Sequence, residues 1–338
     1  MSRSLSVAAL GAAGLAAAII AAGPAHATLA LTPDGVADGF ILTTFVSGYS
    51  FGPPFSTNYG PLAEGILPNG NVVTGSFGDA KIYVFKDIDG QTLASAVSAT
   101  PYTFGPGNGF YAMTTAGGQA YGAQQQAGPY EHFNTDGTHS AIPGLTATSF
   151  LGMWGNPVNG HIIASANQGL IDINPTAGTF RVIAANPGAD GVTVSPDGKT
   201  LYAEASGNIL AYDIASGTLL HTYSGNGHSP DGTGVISDPG GKFDGFIIVN
   251  DNDGTVGLID PTVGTEDIIA TSGSRGDWVS PDTSNGTLFL SQIEEVARLS
   301  CGPGCSIGGP PPIPEPASTT LLGTALLAFA GFRRWKRS

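Results

Sequence analysis

The chain has 338 residues with 51 Gly and 24 Pro, only 11% charged residues and a formal net charge of −14. It is long enough for one large core and too rich in turn formers for a mainly helical protein, while 41% hydrophobic residues argue against a disordered chain. Five of the 12 basic residues, Arg3, Arg333, Arg334, Lys336 and Arg337, lie near the two ends, leaving seven between them against 26 acidic residues; such a body lacks the basic footprint that a phosphate backbone requires, which excludes nucleic acid and suits solubility outside the cell or cation binding.

Residues 1–27 open with a short basic start at Arg3, continue with an alanine-rich apolar run over 7–22 and close on Ala25-His26-Ala27. That order makes a secretory signal peptide with cleavage after Ala27. The next apolar stretch, 40–46, reads as a strand with no unit of its own.

From residue 60 onward, two sets of turns recur. The first is Pro68-Asn69-Gly70, Ala116-Gly117-Gly118, Pro157-Val158-Asn159-Gly160, Pro196-Asp197-Gly198, Phe243-Asp244-Gly245 and Ser284-Asn285-Gly286, each followed by an apolar run. The second ends on Gly90, Gly137, Gly178, Gly217 and Gly264, at separations of 47, 41, 39 and 47 residues. The stretch 190–225 shows the whole unit: apolar runs at 192–194, 200–203, 209–212 and 219–223 are parted by Pro196-Asp197-Gly198, Ser206-Gly207-Asn208 and a turn from Asp213 to Gly217. Glycine after Asp, Asn or Ser supplies the positive φ of a tight hairpin, so the unit is four antiparallel strands. Four strands in about 40 residues is the length of one propeller blade.

Six first-set turns predict an all-β fold, a single β-propeller of six four-stranded blades over residues 28–300. Seven blades is the alternative, with the extra one hidden in the weakly patterned stretch 49–61. The last unit shows only three strands before residue 301, so the strand at 40–46 is expected to complete it and close the ring, leaving no long sheet edge open.

Residues 301–313 form a Gly/Pro-rich linker that begins with Cys301-Gly-Pro-Gly-Cys305. In an exported chain, Cys301 and Cys305 are expected to form a local disulfide. The spacing lacks the histidine of a haem attachment site and has one residue too many for a thioredoxin-type motif.

Residues 314–338 comprise Pro314-Glu315-Pro316, an apolar run over 317–332, and the basic cluster Arg333, Arg334, Lys336 and Arg337. The run is expected to form a transmembrane helix, with the basic cluster stopping translocation on the cytoplasmic side. This tripartite tail closely resembles the PEP-CTERM sorting signal of Gram-negative, exopolysaccharide-producing bacteria. The resemblance implies recognition by an exosortase, transient anchoring in the inner membrane, removal of the tail, and delivery to the cell surface or the extracellular polysaccharide matrix.

The repeats resemble YVTN/NHL-type β-propellers, on the strength of Val194-Ser-Pro-Asp-Gly-Lys-Thr-Leu-Tyr202 and Ile209-Leu-Ala-Tyr-Asp-Ile-Ala-Ser-Gly217. That likeness implies architecture alone, since propellers host both binding proteins and enzymes.

Chemistry is sparse. A polar residue beside glycine recurs where first strands begin: Glu64-Gly65, Asn108-Gly109, Asp190-Gly191, Asp231-Gly232, and Asp277 after Gly276. First strands line the channel of a propeller, so Glu64, Asn108, Asp190, Asp231 and Asp277 are candidates for a ring of oxygen ligands around a hard cation such as Ca²⁺. The plainer alternative is that they cap turns and solvate the channel mouth. Glu64-Gly65-Ile66 resembles the metal-binding glutamate segment of gluconolactonase-like propellers, which makes Glu64 a candidate on that ground too. Asp87-Ile88-Asp89-Gly90 and Asp251-Asn252-Asp253-Gly254 look like the start of a calcium loop but lack its terminal acid, Ser98 and Thr262 standing at the twelfth position, and read as hairpin turns. His132, His139, His161, His221 and His228 form no helical metal pair and accompany no nucleophile elbow, so they are expected to be partner-satisfied or at the surface. Trp154 and Trp278 lie at or near first strands, where packing is the default role and stacking on a sugar the functional one.

The resulting expectation is an exported, non-catalytic propeller that binds extracellular polysaccharide or a surface protein, with no cofactor required. The alternative is a metal-dependent, lactonase- or lyase-like propeller enzyme with an acidic site in its channel.

Overall fold

The turn glycines adopt the conformation that their neighbours demand. Gly70, Gly118, Gly160, Gly198, Gly245 and Gly286, and in the second set Gly90, Gly137, Gly178, Gly217 and Gly264, all have positive φ, a region that Cβ sterics close to most side chains. The computed structural model describes residues 28–49, 60–77, 79–102, 110–124, 129–146, 150–301 and 307, and in it these turns join the strands into six antiparallel sheets.

Each sheet is one blade of a propeller. The first strands are Pro61–Ile66, Phe110–Ala116, Phe150–Gly155, Val192–Val194, Pro230–Val235 and Val279–Asp282. Each packs on the next, and the sixth packs back on the first, so the ring is complete with six blades and no seventh stands between the last and the first. Residues 1–27, 50–59 and 308–338 lie outside the described residues, and with them the expected signal peptide, Pro314, Glu315, Pro316 and the transmembrane helix. Among the described residues, no helix is long and apolar enough to cross a membrane.

The ring closes where the sequence pattern placed the closure. Ile41–Ser47 pairs antiparallel with Glu295–Ser300 as the fourth strand of blade 6, with Leu42 opposite Leu299. Phe45 and Val46 are fully buried there, in a cluster with Tyr83 and Phe85 of blade 1 and Phe289 of blade 6. Arg298 is buried at the same seam, its guanidinium 4.9 Å from the Phe45 ring and 5.0 Å from the Phe289 ring. It ion-pairs with Asp87 and Asp89 of the first blade's outer turn and with Asp282.

Two features of the N-terminus carry no pattern in the sequence. Ala30–Leu31 adds a short fifth strand to blade 5, and Thr32 caps a single helical turn, Pro33–Ala37, while its hydroxyl donates to Ile268 O at 2.9 Å. The segment therefore fastens blade 5 before it completes blade 6. Gln91–Thr92 runs parallel to Ile41–Ser47 and ties blade 1 to the same strand.

The core lies between blades because successive strand residues point to opposite faces. In blade 4, Leu201 and Ala203 pack toward one neighbour while Tyr202 joins Ile209 and Tyr223 against Val235, Ile247 and Val249 of blade 5.

Candidate functional site

Glycines on the first strands set how tightly the ring closes. A Cβ at Gly152 would collide with the Asp190 carbonyl, one at Gly191 with that of Asp231, and one at Gly232 with that of Asp277. The recurrent Asp-Gly pairs are thus packing devices: the glycine admits the neighbouring backbone, and the Asp before it offers its own carbonyl to the previous blade.

Their side chains nevertheless meet. Asp190, Asp231 and Asp277 stand at the starts of three adjacent first strands, gathered about Arg275 from the blade 5 to blade 6 crossing. The guanidinium lies 2.8 Å from Asp231 and 3.8 Å from Asp277, and it donates to the Asn252 side chain. Burial pushes Asp190 up to about 7, with the neighbouring Asp231 carboxylate adding to it and Arg275 opposing. Burial likewise raises Glu204 to about 8, helped by Asp190 and Asp231, and lifts Asp277 well above the usual carboxylate range. Burial raises Asp231 as well, with Arg275 opposing, so the three carboxyls titrate as one group beside the guanidinium. Arg275 and Glu204 carry no motif, and sequence reasoning missed both.

Of the five residues read as a ring, the structure brings these three together. Glu64 stands apart at the junction of blades 1 and 6, where its amide donates to Ser280 Oγ at 3.2 Å. It is fully buried, and neither carboxylate oxygen has a hydrogen-bond partner. Burial raises it to about 8. Asn108 lies outside the described residues. Along the axis, Met113, Met153, Val192, Thr233 and Trp278 fill the channel to a cavity of about 10 Å³, space for at most one water.

The opposite face is open. Here the first-set turns surround a cavity of about 650 Å³ lined by residues that include Thr115, Trp154, Asn159, Val158, Ser237 and Thr283. Its described lining contains no acid, base or thiol. Trp154 of blade 3 is part of the lining and reaches toward blade 5: a Cβ at Gly234 would sit 3.5 Å from the outer edge of the indole. The size is that of a small-ligand site, and the mixture of Val158, Pro157 and Pro196 with Asn159, Ser237 and Thr283 gives it apolar and hydrogen-bonding walls.

The other sequence candidates are placed as follows. Asp251-Asn252-Asp253-Gly254 is a hairpin turn, with Asp251 N bonded to Thr255 O at 3.0 Å. His161 lies 2.8 Å from Asp172, His139 2.7 Å from Glu131, His228 2.8 Å from Asp253 and His132 3.2 Å from Ser140, while the His221 ring packs on Tyr223. Cys301 is disulfide-bonded, and its expected partner Cys305 lies outside the described residues.

No family model matches the sequence, and no characterised protein matches it. Solved structures do share its fold. A gluconolactonase from Xanthomonas campestris superposes with a TM-score of 0.58 at 15% identity, over 83% of this chain and 98% of that one. An auxiliary nutrient binding protein from Bacteroides thetaiotaomicron gives 0.52 at 11% identity, over 77% and 76%. A protein of unknown function from the same bacterium gives 0.56 at 9% identity, over 77% and 76%. An enzyme and a binding protein thus share the scaffold, and what the likeness establishes is the β-propeller fold.

Proposed function

We propose that this chain is an exported, surface- or matrix-sorted β-propeller whose role is to bind a neutral, hydroxyl-rich ligand, such as a segment of extracellular polysaccharide, in the cavity of its first-turn face. One observation carries the reading: the cavity of about 650 Å³ on the first-turn face has no ionisable side chain among its described lining. Acyl and glycosyl transfer require a positioned acid, base or nucleophile. Binding an uncharged polyol requires hydroxyls, amides and an apolar surface, which this cavity supplies.

The two ends of the sequence support the location. Residues 1–27 would direct export, Pro314-Glu315-Pro316 would engage an exosortase, and the run at 317–332 would anchor the chain in the inner membrane until the tail is removed. The test is a screen of the secreted protein against uncharged oligosaccharides on an array, followed by calorimetry on any ligand found. Saturable binding that weakens with Asn159→Ala/Ser237→Ala supports the assignment; a screen with no neutral ligand removes it.

A second reading, a metal-dependent lactonase- or lyase-like enzyme, has its own observation in Asp190. A buried carboxyl held at about 7 beside the Asp231 carboxyl and the Arg275 guanidinium is suited to general acid–base work at neutral pH. The two readings separate cleanly, because they use opposite faces of the ring. Asp190→Asn would abolish turnover under the enzymatic reading and leave ligand binding intact under the proposed one.

A further inference from the structure

The turn Asp251-Asn252-Asp253-Gly254 links the second and third strands of blade 5. His228, in the crossing that enters that blade, folds over it. One ligand atom from each of His228, Asp251 and Asp253 lies within 4.8 Å of the others. His228 Nδ1 pairs with Asp253 Oδ2 at 2.8 Å, and the buried Asp251 stands outside that pair. Thr255 Oγ1 sits among them, 3.0 Å from Asp251, 2.6 Å from Asp253 and 3.3 Å from His228 Nδ1. A hydroxyl has one proton, so it can satisfy one of these acceptors at a time.

The independent observation is Asp251. The residue is fully buried, and its Oδ1 has no hydrogen-bond partner. A buried carboxylate with one oxygen unpartnered, on a side chain that stands beside an imidazole and a second carboxylate, is costly as it stands. It is resolved at once by a cation.

We propose that His228, Asp251 and Asp253 form a binding site for a single divalent transition ion, Zn²⁺ or Mn²⁺. The donor set decides the class: an imidazole with carboxylates suits borderline metals, whereas Ca²⁺ takes six to eight oxygens. Three protein ligands leave at least one position for water. His228 and Asp253 are reachable from solvent and Asp251 is not, so the ion enters from the outer side and seats against the buried carboxylate.

The site would act on the channel mouth. Asp251 O accepts from Gly276 N at 3.0 Å, and Asn252 N donates to Ser229 O at 2.8 Å. Asn252 also takes a hydrogen bond from Arg275, the counter-ion of the Asp231 and Asp277 cluster. An ion holding Asp251 and His228 would lock the loops that place this guanidinium. The charged groups facing Asp251 are Glu266, Asp253 and His228.

The test is calorimetric titration of the metal-free, tail-processed protein with ZnCl2, MnCl2 and CaCl2, with melting temperature followed in parallel. The expected result is one Zn²⁺ or Mn²⁺ per chain, a raised melting temperature, and little response to Ca²⁺. His228→Ala changes a half-buried position and Asp253→Asn an exposed one, and both should fold, as metal-free melting will report. Each should weaken binding by at least about tenfold, a loss that even outer-shell changes reach. Absence of Zn²⁺ and Mn²⁺ binding to the wild type overturns the proposal, and so does binding that is unchanged in both variants.

Discussion

The rings of Phe45 and Phe289 meet with centroids 4.9 Å apart, joining the strand that completes blade 6 to that blade's second strand. Phe85 of blade 1 packs edge-on to Phe45 at 6.1 Å, so a single side chain spans the seam of the ring. Phe45→Ala should cost about 3–5 kcal/mol, as removal of a buried aromatic does. Chemical denaturation checks it; a loss under about 1 kcal/mol, the typical effect of a point mutation, would mean that the ring is held elsewhere.

Arg298 gives an independent handle on the same seam. Its guanidinium is sandwiched by the two aromatic rings and paired with three carboxylates, of which Asp282 is fully buried. Arg298→Met keeps the packing stem but strands that buried charge, so a loss of about 3–5 kcal/mol is expected. A variant as stable as wild type would show that the carboxylates release their charge without cost.

The acid cluster and Glu64 predict an unusual pH response. Glu64 holds its proton up to about 8 when folded, from an ordinary value of 4.5; Glu204 at about 8 and Asp190 at about 7 behave alike. Between those limits the folded chain binds protons that the unfolded chain does not, so stability falls as pH rises through the window and levels off above it. The melting temperature should be higher at pH 5 than at pH 8.5. Glu64→Gln should shrink that difference by stabilising the protein at the alkaline end. An equal drop in the variant would exclude Glu64 as a contributor.

Turn glycines separate strain from crowding. Gly207 has a φ of +75° with open space around it, whereas Gly217 has a φ of +71° and a Cβ there would collide with the Ile183 carbonyl of blade 3. Gly207→Ala should cost about 1 kcal/mol from left-handed strain alone, and Gly217→Ala about 2–4 kcal/mol once backbone displacement is added. Equal costs would mean that blade 3 yields freely at that contact.

The blades were legible because hairpin turns announce themselves. Asn69-Gly70 and Asp197-Gly198 need positive φ, and the apolar runs between such turns have strand length. The orphan strand at Ile41–Ser47 was legible for a related reason, since blade 6 lacked a fourth strand and an open edge has to be covered. The short strand Ala30–Leu31 was not, because two residues carry no periodicity. The sites were harder. Asp190, Asp231 and Asp277 could be picked out beside their glycines, but Arg275 is a counter-ion only because a crossing loop carries it over them. The large cavity left no trace at all: Thr115, Asn159, Ser237 and Thr283 are ordinary turn-end residues until four different blades bring them together.

The most direct measurement is calorimetric binding of an uncharged oligosaccharide to the mature protein, its Asn159→Ala/Ser237→Ala variant and its Asp190→Asn variant, with and without chelator. Binding through the first-turn cavity predicts saturable association that survives Asp190→Asn and chelation and is weakened at least about tenfold, or ~1.4 kcal/mol, by the cavity variant. Association untouched by the cavity variant but lost with Asp190→Asn or with chelator would contradict it, placing function at the acidic mouth instead.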